Sequence, residues 1–335
     1  MKAIGYYQSL PIDQEQALVD LDLSSPKTTG HDILVAVNSI AVNPVDTKVR
    51  RRTQPEGGIP QILGWDAAGT VIEVGPEASL FKPGDEVWYA GDITRPGCNS
   101  EFHLVDERIV AKKPESLRFQ EAAALPLTSL TAWELLFDRL ELSPKSKGTL
   151  LITGAAGGVG SILVQLARQL TNLTVIGTAA RPESIVWILN NGAHHVIDHS
   201  KDMKVQLQEL NYPEVDCVIS LTHTDEHAQS LVDVLKPQGK FALIDDPQHV
   251  DMRLFKPKSI SIHWEMMYTR SMFKTVDMIR QHEILTAIAR LVDEGRIKTT
   301  IAEHMGLINA ANLRTAHALL ESGKARGKIV LSGFK

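Results

Sequence analysis

The residues with the clearest chemical meaning are three glycines, Gly154, Gly157 and Gly160, in the run Gly154-Ala155-Ala156-Gly157-Gly158-Val159-Gly160. Glycine lets a backbone turn tightly and approach a pyrophosphate, whose charge is met by backbone N–H groups and the positive end of a helix. A glycine triplet alone is a weak signal, since glycine-rich turns are common. Here the apolar run 149–152 reads as a buried parallel strand directly before it. After it, Ile162, Leu163, Leu166, Ala167 and Leu170 share one face of a helix. A further strand, 173–177, comes next. That is the setting a dinucleotide site requires. Gly154, Ala155, Gly157, Gly158, Val159 and Gly160 are therefore expected to hold one.

The end of the next strand selects the nucleotide. A site for NAD usually carries an acid there, to bond the ribose 2′-hydroxyl. This chain reads Thr178-Ala179-Ala180-Arg181, with no acid before Glu183. Arg181 is placed to meet a 2′-phosphate, and Thr178 and Ser184 can add hydroxyl bonds. The alternative is an ordinary exposed arginine. NADPH is the expected cofactor.

Two textures position these residues. Up to about residue 121 the signals are short strands and turns, such as 33–37, 68–74 and 86–89, with no long amphipathic helix. Arg50, Arg51 and Arg52 read as a solvated loop face. From about residue 127, strands alternate with helices. Helices are expected at 182–189, 203–210 and 226–235, strands at 195–197, 216–221 and 240–244, with a turn at Pro237-Gln238-Gly239. Such alternation is the signature of a mostly parallel sheet. A strand at 260–264, helices at 284–294 and 310–321 and a strand at 328–331 complete the chain. Leu221, Asp245 and Tyr268 follow the later strands and join the nucleotide-site candidates.

The 335 residues are 43% apolar and 22% charged, with a formal net charge of −5, enough for two domains with sizeable cores. Without a sustained basic stretch, neither nucleic acid nor an anionic membrane is the expected partner. Cys98 and Cys217 are too few for a disulfide framework or a cysteine-rich zinc site. The opening carries one basic residue and no long apolar run, unlike a signal peptide, so the cytoplasm is the expected compartment.

Asn43-Pro44-Val45-Asp46, Leu63-Gly64-Trp65-Asp66-Ala67-Ala68-Gly69 and the glycine run together resemble the medium-chain dehydrogenase/reductase superfamily. The likeness covers nearly the whole chain and is greatest for the quinone oxidoreductase and zeta-crystallin branch, with its "zinc-type alcohol dehydrogenase-like" members. It implies an α/β chain with a GroES-like, β-rich catalytic domain at 1–125. A Rossmann domain, a doubly wound parallel sheet, follows at 126–266, and 267–335 return to the first domain. A homodimer is implied as well, through the strand near Trp264.

Zinc enzymes of this superfamily carry a catalytic Cys where this chain reads Asn43, and Gly-His-Glu where it reads Gly64-Trp65-Asp66. Trp cannot ligate zinc, and no Cys, His or acid stands near Pro126-Leu127, where a third ligand is expected. The four-cysteine lobe is reduced to Cys98. No zinc site is readable, and no metal is expected. Alcohol oxidation leans on zinc to stabilise an alkoxide, whereas a quinone or enone spreads the developing charge by conjugation. The resemblance thus implies an NADPH-dependent reductase of quinones or α,β-unsaturated carbonyls. By the same resemblance Asn43 and Thr131 border the nicotinamide and its ribose. Asp46 is either catalytic or a capping residue, and Trp65 either fills the vacated volume or stacks on substrate. Lys48 replaces a Tyr found in some relatives. Two alternatives stand: a zinc alcohol dehydrogenase with unusual ligands, and a non-catalytic NADPH-binding protein.

Overall fold

The computed structural model describes residues 1–334. Contacts divide the chain into two compact units, one of Met1–Leu130 with the stretch from Tyr268 onward, the other of Thr131–Met267.

In the first unit the long strand Asp32–Val42 is buried along most of its length because both of its edges are paired. Ala67–Val74 runs antiparallel along one edge, while Phe102–Asp106 and Lys328–Ser332 share the other. Glu86–Tyr89 and Val110–Lys112 extend the sheet on one side, and Ile301–His304 lies outside Lys328–Ser332. The pairing of Ile329 with Val42 brings Lys328 to the threshold of Asn43.

Directly after that strand the chain forms a helix, Pro44–Arg52, which the strand-and-turn reading of this half misses. Its local cause is visible in retrospect: an Asn at the N-cap, Pro at the first helical position and an acid at the third. The arginine triplet forms its last turn. Arg51 and Arg52 are exposed, but Arg50 is fully buried, donating to the Leu10 carbonyl and the Glu321 carboxylate. The loop-face reading fails for Arg50, because its partners come from distant parts of the chain.

The second unit is a six-stranded sheet, parallel throughout, in the order His195–Ile197, Asn172–Thr178, Lys147–Thr153, Val215–Ser220, Leu235–Leu243, Ser261–Trp264. Numbered along the chain this is 3-2-1-4-5-6, the order of a dinucleotide-binding sheet that reverses beside its first strand. Helices cover the sheet, and Leu151, Ile176, Val218, Leu231 and Phe241 meet in one core. Pro237, Gln238 and Gly239 lie inside the strand Leu235–Leu243 rather than before it. The register jumps there, from Val215 opposite Leu235 to Cys217 opposite Lys240, and Gln238 takes a φ of 64°.

The turn at Gly154 and Ala155 approaches the helix Gly158–Leu170 closely at Gly160. A Cβ there would fall 2.5 Å from both the Ala155 Cα and the Gly154 carbonyl oxygen, backbone atoms that cannot step aside. Gly160→Ala should therefore lower stability by about 1–3 kcal/mol, as overpacking of a core does. A urea unfolding midpoint unchanged by the substitution would contradict this close packing.

Candidate active site

In the first unit, Asn43 and Asp46 close the helix start through the backbone. The Asn43 N–H donates to Asp46 Oδ2 at 2.5 Å, and the Asp46 N–H to the Asn43 carbonyl at 3.0 Å. The Asn43 amide is left for other partners. Its Nδ2 donates to Asp66 Oδ2 at 2.9 Å and to the Ala41 carbonyl at 3.4 Å, and its Oδ1 accepts a bond from the Lys328 ammonium. Lys328 Nζ also donates to Asp66 Oδ2 at 2.8 Å and to the Val42 carbonyl at 3.2 Å. The second Asp66 oxygen accepts the Leu127 N–H at 2.8 Å. All four side chains are sealed, none more than 2% exposed.

Burial is the largest influence on both carboxyls. It raises Asp46 to about 7, against the pull of the Asn43 N–H and the Lys328 charge. It raises Asp66 too, offset in part by Lys328, the Leu127 N–H and the Asn43 amide. A protonated Asp46 leaves the cluster one cation and one anion.

Trp65 is buried, its indole N–H donating to the Asp92 carbonyl at 3.1 Å. Its ring meets Tyr268 edge-on, with centroids 6.5 Å apart and planes at 77°. Tyr268 belongs to the first unit, as Trp65 does. Burial and the nearby Asp46 and Asp66 push its phenol well above the usual range.

In the second unit Gly154 takes a φ of 67°, a left-handed conformation that favours glycine. The helix Gly158–Leu170 begins at Gly157 with no side-chain cap, so its first N–H groups are available to a phosphate. Beside Gly157 a Cβ would meet only the Gly154 oxygen, at 3.3 Å. Ala155 and Gly160 are buried, and Gly158 and Val159 are half-buried. Leu221 lies against Gly154, where an added Cβ would approach the Leu221 Cβ to 3.4 Å. At the end of the next strand Thr178 and Ser184 are buried, while Arg181 is exposed with Glu183 at 4.0 Å. Thr131, also in this unit, is buried. Both Asp245 oxygens are engaged by Thr224, from the N–H at 2.9 Å and the hydroxyl at 2.6 Å.

Residues 29–115 match the alcohol dehydrogenase GroES-like domain, and residues 191–331 match a family described as zinc-binding dehydrogenase. A "zinc-type alcohol dehydrogenase-like protein" of Staphylococcus epidermidis is 38% identical, with 99% of each chain covered. The chain is a medium-chain dehydrogenase/reductase of the quinone oxidoreductase-like branch. A crystal structure from Rhizobium etli CFN 42, whose name includes the words zinc-dependent alcohol dehydrogenase, superposes with a TM-score of 0.96. It is 55% identical, covering 100% of this chain and 98% of that one. Escherichia coli quinone oxidoreductase complexed with NADPH superposes at 0.85 with 25% identity, covering 99% and 100%. This medium-chain oxidoreductase thus combines a GroES-like domain with a Rossmann-like domain suited to a nicotinamide cofactor.

The zinc in these names finds no matching donor set. Asn43 presents an amide already bonded to an ammonium, Trp65 a donor-only N–H, and Asp66 a carboxylate already neutralised by Lys328. Among the described residues no three His, Cys, Asp or Glu side chains converge to hold a metal. Sequence reasoning singles out Asn43 and Asp46 but misses Lys328, for which a lysine opening an apolar strand gives no local signal.

The raised Asp46 carboxyl has a measurable consequence. Between about pH 4 and about pH 7 the folded chain retains a proton that the unfolded chain releases, so stability falls as pH rises through that window. Asp46→Asn keeps an acceptor for the Asn43 N–H but does not titrate. Denaturant unfolding of both proteins across pH 4.5–7.5, values chosen to span roughly that window, should give a stability difference that grows with pH in favour of the variant. A difference independent of pH would mean that Asp46 is ionised throughout.

Proposed function

We propose that this chain uses NADPH to reduce quinones or α,β-unsaturated carbonyls and needs no zinc to do so. The observation that carries the reading is the Lys328 ammonium, bonded to Asp66 and Asn43 within the residues that resemble a zinc shell. A second cation brought to this cluster would meet like charge, and the Cys98 thiol beside it, which donates to the Asp66 carbonyl at 3.6 Å, is held protonated by burial. Quinones and enones suit such a site, because conjugation disperses the negative charge that zinc would otherwise stabilise.

Within this reading the residues divide the labour. The N–H groups of the turn at Gly154 and of the first helical turn at Gly158, Val159 and Gly160 meet the pyrophosphate. Arg181 meets the 2′-phosphate, with Thr178 and Ser184 supplying hydroxyls. Bound, the reduced nicotinamide supplies the hydride. Thr131 borders its ribose. Asn43, its amide committed to Asp66 and Lys328, braces the reacting end rather than donating to it. Trp65 and Tyr268 pack edge to face in the first unit and fill the volume a zinc site would take. The strand Ser261–Trp264 ends the sheet with Trp264 exposed, which supports pairing of two copies along that edge.

The deciding experiment follows NADPH consumption with 1,2-naphthoquinone by protein stripped with a chelator and checked for zinc by elemental analysis. Full activity in stripped protein is expected. Activity lost on stripping and restored by zinc would favour the reading as a zinc alcohol dehydrogenase. No turnover with any quinone or enone, despite tight NADPH binding, would favour a non-catalytic protein.

The cofactor preference is tested separately. Arg181→Ala should weaken NADPH binding by about tenfold to a hundredfold and leave NADH binding nearly unchanged, the loss of one charge-assisted partner. Equal effects on both cofactors, measured by fluorescence titration, would assign the arginine another task.

A further inference from the structure

A continuous chain of hydrogen bonds crosses the carboxyl ends of three adjacent strands in the second unit. Its members are Thr153 on Lys147–Thr153, Ser220 on Val215–Ser220, and Thr224 opening the helix Thr224–Val234. Asp245, just beyond Leu235–Leu243, completes it. The Thr224 hydroxyl donates to Asp245 at 2.6 Å, so it must accept from Ser220 at 2.7 Å. The Ser220 proton being spent there, Thr153 donates to Ser220 across 3.3 Å. Thr153 in turn accepts the Leu221 N–H at 3.3 Å. Every hydroxyl donates once and accepts once. The amide at one end and the carboxylate at the other fix the direction of every proton, and the three hydroxyl residues are buried.

The chain encloses a loop. Leu221 is held by its N–H, and Thr224 by its N–H and hydroxyl. Between them His223 adopts a left-handed φ of 54° and offers no side-chain cap to the helix. Asp245 supplies from across the sheet the cap that the local sequence lacks. The pinned loop lies against the glycine turn: a Cβ on Gly154 would come within 3.0 Å of Thr222 Cγ2 and 3.4 Å of Leu221 Cβ.

We propose that Thr153, Ser220, Thr224 and Asp245 are positioning residues for the dinucleotide, bracing the loop at Leu221 and Thr222 that backs the pyrophosphate-binding turn at Gly154. Asp245 acts through Thr224 and does not itself touch the nucleotide. The proposal rests on the reading that this turn binds a nicotinamide dinucleotide.

The test measures binding by the full chain, with no turnover needed. NADPH, NADH and 2′-AMP are titrated against the parent, Asp245→Ala, Asp245→Asn and Ser220→Ala. Asp245→Ala should weaken NADPH and NADH alike by about fivefold to tenfold, the usual effect of losing a helix cap expressed as affinity. Asp245→Asn, whose single amide oxygen can accept from one of the two Thr224 donors but not both, should recover only part of that loss. Ser220→Ala should weaken both dinucleotides less. Combined with Asp245→Ala it should add less than its own single effect, because both act through one element. Affinity for 2′-AMP, which lacks the pyrophosphate, should stay at the parent value throughout. Parent-like NADPH binding by Asp245→Ala, or a parallel loss of 2′-AMP, would overturn the proposal while leaving the nucleotide site intact. A parent that binds neither dinucleotide would overturn the nucleotide reading and this proposal with it. Should Asp245→Ala not fold, Ser220→Ala is judged by the same ratio of NADPH to 2′-AMP affinity.

Discussion

Lys328 and Asp66 stand 262 residues apart, and their ion pair at 2.8 Å is sealed from water. Placing two charges in such a setting costs several kcal/mol per ion unless each finds its full complement of hydrogen bonds. Here each does. The lysine reaches a carboxylate, an amide oxygen and a backbone carbonyl, and the aspartate receives an amide and a backbone N–H as well. Satisfying this pair dictates much of the first unit. Lys328–Ser332 must pair with the end of Asp32–Val42, the helix Pro44–Arg52 must start at Asn43, and Leu127 must present its N–H to Asp66. Loss of one partner would strand the other charge, so the arrangement stands or falls together.

The second unit also carries an ion pair, the buried Glu265 with Arg139 at 2.7 Å, but the ends of its strands are treated in another way. At the carboxyl ends of its strands it buries neutral hydroxyls in series and ends them on a carboxylate. Neutral groups cost less to bury than ions, and a chain of them can cross several strands.

Much of the fold is legible in the sequence because it is locally encoded. The strand at 195–197 and the helix at 310–321 fall where periodicity and glycine stops put them, and the glycine turn sits between strand and helix as its spacing requires. What escapes is encoded between distant residues. Arg50 looks like its exposed neighbours Arg51 and Arg52 until Leu10 and Glu321 are brought to it. Nothing near Asp245 in the sequence announces that its two oxygens meet Thr224. Pro237-Gln238-Gly239 carries good turn chemistry, yet neighbouring strands absorb it as an irregularity in the ladder. The helix Pro44–Arg52 is a different kind of miss, since Asn-Pro and a following acid announce it locally.

The interrupted layout of the first unit bears on how the chain comes off the ribosome. Synthesis runs from the amino end, so all of Thr131–Met267 emerges while the sheet around Asp32–Val42 still lacks Lys328–Ser332. The parallel sheet is continuous in sequence and can close as soon as Ser261–Trp264 is made. Asp66, by contrast, must wait in contact with water or a chaperone until its counter-ion arrives. The nascent chain therefore completes its middle portion before its beginning, and a stall anywhere between about residue 270 and residue 328 leaves a finished parallel sheet attached to an open, carboxylate-bearing sheet edge.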